Sequence, residues 1–234
     1  MKFYVTEDVF SKLPDLQFGL VSVAGVNNAA NNEEIRKFLQ ESVASCEEQF
    51  GGQKVKNEPE LQLYREAFRT IGINPNRYMC AIEALLTRIS KNQGMPMINS
   101  AVDLGNAVSL KYHLPVGAHD LDTMDGEFCV KTAGNGDTFL PFGAEEREEV
   151  PEGEVVYATK SRVRTRRWTW RQGDEGKILD TTKDLLYIVD GFEDNLDKVI
   201  CARDELAEKI AQYFGCEVKK GLINKESMEF ETRV

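Results

Sequence analysis

Histidine and tryptophan are scarce in this chain, with two of each, and no apolar run approaches the roughly 20 residues that a membrane span needs. The five cysteines (Cys46, Cys80, Cys129, Cys201 and Cys216) are odd in number and widely spaced, with no C-x-x-C pair. With so few histidines to complete a set, that argues against a zinc site and a disulfide framework alike, and predicts reduced, buried thiols. No G-x-G-x-x-G occurs, and GNGDTFLPFG has close glycines without a following Lys-Ser/Thr, so it reads as a turn between strands. The G-x-S-x-G elbow is missing too, and no cysteine has a histidine beside it in sequence, which leaves covalent catalysis unsupported. No cofactor and no metal are expected. The N-terminus, MKFYVTEDVF, shows no apolar leader, and a cytoplasmic protein without membrane attachment is the expectation.

What is present is acid, with one exception. The formal net charge is −10, yet residues 160–171 read KSRVRTRRWTWR, with six cations, no acid and both tryptophans. Without that segment 23 basic residues face 39 acidic ones, a net of −16. A general nucleic-acid binder is basic overall, so a polyanion would be held locally here and repelled elsewhere, with strong salt dependence. Alternation along a strand places Lys160, Arg162, Arg164, Arg166, Trp168 and Trp170 on one face. Cations leading to aromatics suit a backbone-tracking groove with a stacking platform. The structural alternative is an edge strand protected by its charges, with the tryptophans as core.

The periodicity changes midway. Strands are expected at 3–10 and 17–26. Helices follow: Asn32 to about Phe50, with Glu33 and Glu34 in the first turn; 58–71, with Pro59 at its start; about 78–92; and about 99–112. From Glu127 short β-branched or aromatic runs alternate with Gly and Asp turns: FCVKTA, EVVYAT, SRVRTRRWTW, KILDTT and DLLYIVDG. A helix at about 195–214 and the strand-like CEVKKGLI close the chain. Strands and helices mix without strict alternation, which favours α+β over a doubly wound sheet.

Two stretches could carry chemistry. HLPVGAHDLDTMDG reads as a loop holding both histidines, and could bring His119, Asp120 and Asp122 to a cleft; the alternative is a solvated turn with Asp caps. NSAVDLGNAVS spaces Asn99, Asp103 and Asn106 by four and three, so on a helix they share a face that could line a wet cleft or simply meet solvent.

Residues 98–126, INSAVDLGNAVSLKYHLPVGAHDLDTMDG, resemble the editing domain of the phenylalanyl-tRNA synthetase β subunit. The matching positions are Ile98, Asn99, Val102, Asp103, Asn106, Val108, Pro115, Ala118 and Asp120. YREAFRTIGINPNRY, IEALLTRI and RRWTWRQ resemble free-standing relatives of that domain more closely. The similarity covers roughly residues 15–215, and a single editing-like domain over 1–234 is expected. The resemblance implies a layered α+β sandwich of mixed sheet and helices. It also implies a trans-acting deacylase for mischarged aminoacyl-tRNA, with canavanine-charged arginine tRNA among the candidates. The partner implied is tRNA, through its acceptor 3′ end, with transient contact to an aminoacyl-tRNA synthetase. One position departs: where the family pattern PxHAFD has His, this chain has Gly117, and His119 stands where the Phe would be. That glycine opens space for a different substrate.

An aminoacyl ester is already activated, so an editing site needs chiefly to place water and hold the terminal adenosine. His119 is the expected base or water-positioning group, with Asn99 and Asp103 beside it and Asn106 in the substrate cleft. Trp168 and Trp170 would form a wall or stack on the terminal base, while Lys160, Arg162, Arg164, Arg166 and Arg167 would contact phosphates. A guanidinium-bearing substrate would call for a carboxylate, and Asp103, Asp120 and Glu83 are the candidates, Glu83 being equally explained by a local ion pair. A non-catalytic tRNA- or RNA-binding module, and a small-molecule amino-acid or nucleoside binder, are the competing readings.

Overall fold

The computed structural model describes residues 1–29 and 32–232. Strand β1 (Lys2–Val5) is followed not by more strand but by a short helix, α1 (Glu7–Lys12), whose acidic first turn suits a helix N-terminus. Then come β2 (Leu16–Val23), α2 (Glu33–Phe50), α3 (Pro59–Thr70), α4 (Ala81–Ser90) and α5 (Ser100–Tyr112). The Asn32 side chain accepts from the backbone N–H of Glu34 and Ile35, and the Asn99 side chain from Val102, so both helices begin where an Asn can satisfy free amides.

The second half holds β3 (Val116–Asp120), β4 (Phe128–Thr132), β5 (Thr138–Phe139), β6 (Glu148–Glu149), β7 (Val155–Thr159), β8 (Arg162–Arg166), β9 (Arg171–Gln172) and β10 (Leu185–Phe192). Helix α6 (Leu196–Phe214) ends at Gly215, whose φ of 65° is the left-handed cap, and β11 (Val218–Ile223) and β12 (Glu229–Glu231) follow. The expected strand at KILDTT does not form.

Two sheets result. One has the order β12-β1-β4-β7-β8-β5-β6, with β9 on β8, and mixes parallel pairs (β1 with β4, β5 with β8) with antiparallel ones. The other, β11-β2-β10-β3, is antiparallel throughout. Every residue of β10 is buried, because both its faces are covered. Gly19 and Gly191 let α6 approach closely; a Cβ on Gly191 would collide with the Val199 side chain. On the opposite pleat Asp190 meets Tyr157 of β7 and Trp168 just beyond β8. Helix, sheet and sheet thus stack as an α+β sandwich. Among the described residues no helix is long and apolar enough to cross a membrane.

The thiols follow the expectation at Cys46, Cys80 and Cys129, which are free and buried, but Cys201 is exposed and Cys216 half-buried.

Candidate active site

The HLPVGAHD segment is a loop only at its start: beyond Pro115 it is strand. Residues 116–120 pair with β10 as an edge strand, Gly117 opposite Ile188 and His119 opposite Leu186. Residues i and i+2 of a strand share a face, so Gly117 and His119 point together between the sheets. There the His119 ring stacks on Tyr157 at 5.5 Å and lies 4.6 Å from the Phe128 ring. Gly117 keeps the space before it open: a Cβ there would stand 3.3 Å from His119 Nε2.

The basic segment turns sharply. Strand β8 ends at Arg166, and Arg167 and Trp168 both take left-handed backbone angles, with φ of 49° and 57°. Two such non-glycine residues in succession are strained, and tertiary contacts must hold them. They do so by burying Trp168 completely against Tyr64, Phe68 and Phe192. Its indole N–H donates to Asp190 Oδ1 at 2.7 Å, and the Tyr157 hydroxyl donates to the same oxygen at 2.5 Å.

Asp190 and His119 flank one cavity of about 110 Å³, with Gly117, Trp168, Trp170 and Gln172 also in its wall. Burial pushes the Asp190 carboxyl up to about 7, although its two hydrogen bonds oppose the shift. No cation pairs with it among the described residues. Burial, with the Arg164 guanidinium nearby, pushes His119 down to about 3, so the imidazole is neutral, and its Nδ1 has no partner. The site therefore offers a carboxylate poised near neutrality, a neutral imidazole and an aromatic wall in one pocket.

Of the residues singled out in the sequence, Gly117, His119, Trp168 and Trp170 meet in this cavity. The others sit elsewhere, which corrects the expected cleft. Asn99 caps α5 and donates to the Ile178 carbonyl. Asp103 is buried and accepts from the Ile98 N–H, its carboxyl raised by desolvation. Asn106, half-buried on the next turn of α5, lies outside the cavity lining. Asp120 holds its own turn, accepting from the Asp122 N–H and the Thr182 hydroxyl. Glu83 forms a buried ion pair with Arg65 at 2.6 Å.

The single basic face is corrected too. Arg164 is 1% exposed, and Arg166 is buried in a forked pair with Glu154 plus a contact to Glu148. Arg167 lies 3.8 Å from Glu154, Arg162 3.8 Å from Glu175 and Lys160 3.1 Å from Asp125. Acidic neighbours that are distant in sequence neutralise what looked like an open strip.

Asp190 went unnoticed in the sequence. Its signal is a lone acid inside the apolar run LLYIVDGF, where an ionised side chain must find a special environment.

Residues 63–219 match the family model of the B3/4 domain. The chain belongs to the B3/4 domain family. It is thus a relative of the domain found in the phenylalanyl-tRNA synthetase β subunit. All the cavity residues named above lie within the B3/4 match. Among solved structures, the chain is similar to the crystal structure of an N-terminal fragment of the phenylalanyl-tRNA synthetase beta-subunit from Pyrococcus horikoshii. Identity is 13% and the TM-score 0.51, with 99% of this chain and 54% of that chain covered. At that identity the likeness concerns the fold, and this B3/4 protein spans about half of the fragment. No curated protein matches it.

Proposed function

We propose that this protein hydrolyses the ester of mischarged aminoacyl-tRNA in the cavity between Asp190 and His119. Membership of a family with a domain in a tRNA synthetase subunit supports the substrate class. The observation that carries the reading is Asp190: a buried carboxylate, held by Tyr157 and Trp168, facing a cavity and lacking a protein cation. Burying such a group unpaired is costly unless a ligand supplies the positive charge.

Every aminoacyl ester brings one in its α-ammonium, and an arginine-like amino acid brings a second in its side chain. A cavity of about 110 Å³ compares with a few waters at about 30 Å³ each. It takes the amino-acid end and leaves the terminal adenosine outside, against Trp170. Asp190 then binds the cation and fixes the ester. His119, neutral and facing the space over Gly117, orients the water. Water oxygen adds to the ester carbonyl, the bond to the ribose oxygen breaks, and the proton passes by way of His119 to that oxygen. Positioning supplies most of the effect, since the ester is already activated.

A deacylation assay over a panel of mischarged tRNAs, canavanine-charged arginine tRNA included, tests this. At least one member should lose its amino acid well above the spontaneous rate, and Asp190→Asn should abolish the gain. Spontaneous rates throughout would end the proposal.

A further inference from the structure

A second cavity, of about 630 Å³, lies on the far side of the loop joining α3 to α4. Its rim carries Lys54, Lys56 and Lys91, all exposed and none in an ion pair among the described residues. In its wall Arg65 bonds Glu83 Oε1, the Pro75 carbonyl and Asn76 Oδ1, while Glu83 Oε2 is buried without a partner. On a chain of net charge −10 this is a concentration of exposed cations outside any close ion pair, with Lys56 feeling the charge of Glu83.

The α3–α4 loop walls the larger cavity, and the first residue of α4 directly after it walls the smaller. Pro75, Asn76 and Met79 line the larger one, and Ala81, whose N–H donates to the Thr169 carbonyl at 2.8 Å, lines the smaller. Between them runs a ladder of alternating rings and guanidinium groups. Arg171 lies over Trp170 at 5.9 Å; Arg167 lies over Trp170 at 4.5 Å and over Tyr78 at 4.0 Å; Arg77 lies over Tyr78 at 5.2 Å. Arg77 and Arg171 are exposed and, among the described residues, unpaired with any carboxylate.

We infer that this ladder and the lysine-rimmed cavity form the track for a single-stranded RNA 3′ end. The end enters at Trp170 and its backbone runs over Tyr78 to Lys54, Lys56 and Lys91. Rings give bases a sequence-tolerant platform and interleaved cations take the phosphates. Glu83 Oε2, buried and unpartnered, is free to accept a donor such as a 2′-hydroxyl or an exocyclic amine. The direction of the strand rests on the hydrolytic reading of the Asp190 cavity; the track itself does not.

The test is fluorescence anisotropy of a labelled single-stranded RNA ending in CCA, over a range of NaCl concentrations. Lys54→Glu, Lys56→Glu and Lys91→Glu combined should weaken binding by about tenfold or more at low salt and flatten the salt slope by about 2. Arg77→Ala alone should weaken it severalfold. Unchanged affinity and slope in the triple variant would overturn the track. So would equal binding of polyglutamate, which would make it a general anion patch. Deacylation by the wild-type protein is measured alongside. If wild type hydrolyses no mischarged tRNA while RNA binding still falls in the triple variant, the track stands and the hydrolytic reading falls. If wild type hydrolyses but the triple variant binds normally, only the track falls.

Discussion

Trp168 and Asp190 are joined by one hydrogen bond, indole Nε1 to carboxylate Oδ1 at 2.7 Å, and both are buried. Trp168 sits just past a strand of the first sheet and Asp190 in the centre of the second. The bond therefore ties the sandwich together at the wall of the cavity.

Asp190 predicts a pH dependence of folding. Its folded value of about 7 lies above the ordinary carboxylate range, so between about pH 4 and 7 the folded state holds a proton that the unfolded state releases. This group's contribution is fully favourable below the unfolded value, and falls as pH rises to about 7. Asp190→Asn keeps an acceptor for Tyr157 and Trp168 but cannot ionise. Melting temperatures at pH 5 and pH 8 should show the variant gaining several degrees on wild type at the higher pH. Parallel curves would mean that Asp190 is not the group responsible.

On the proposed hydrolytic reading the same carboxyl governs the activity profile. If the ionised form binds the substrate cation, kcat/KM should rise about tenfold per pH unit below 7 and level off above it. Activity independent of pH between 5.5 and 8 would remove the ionised carboxylate from the mechanism.

His119→Ala should lower kcat about 10²-fold while tRNA affinity stays within twofold, since on the proposed mechanism the buried ring acts on water and makes no contact with the tRNA backbone. Deacylation at the wild-type rate would dismiss His119 as the water-positioning residue.

Gly117→Ala asks whether the open space is used. The added Cβ would come within 3.3 Å of His119 Nε2, and β3 backbone accepts alanine without a left-handed strain. Melting temperature should move little and kcat should fall roughly tenfold as water is crowded out. A variant as active as wild type would place the water elsewhere.

Arg166→Ala separates structure from RNA contact. The change strips a buried, forked partner from Glu154, and should cost about 3 kcal/mol in a denaturant titration. Binding of RNA by the folded variant should hold steady; a flattened salt slope would return Arg166 to the phosphate-contacting surface.

The local pattern already contained the five longer helices, though not the short α1, which read as strand. Asn32, Pro59 and Asn99 mark starts that the structure keeps within a residue or so, because capping is decided by neighbours in sequence. The motif around residues 98–126 likewise pointed to the fold and the family, but the HLPVGAHD stretch read as a loop, and that Gly117 and His119 share a strand came only from its pairing with β10. Long-range pairing was beyond it. The RVRTRR run looks like a cationic face until Glu175 closes on Arg162, and Glu148 and Glu154 on Arg166, from elsewhere in the fold. Asp103 and Asp120 look available until backbone amides claim them. Composition and periodicity by themselves determined an acidic α+β chain with a basic, tryptophan-bearing segment. Which cations stay free, and that Asp190 is the carboxylate at the cavity, only the tertiary structure decided. Charge compensation and desolvation depend on what packs against a side chain, and those neighbours come from distant parts of the chain.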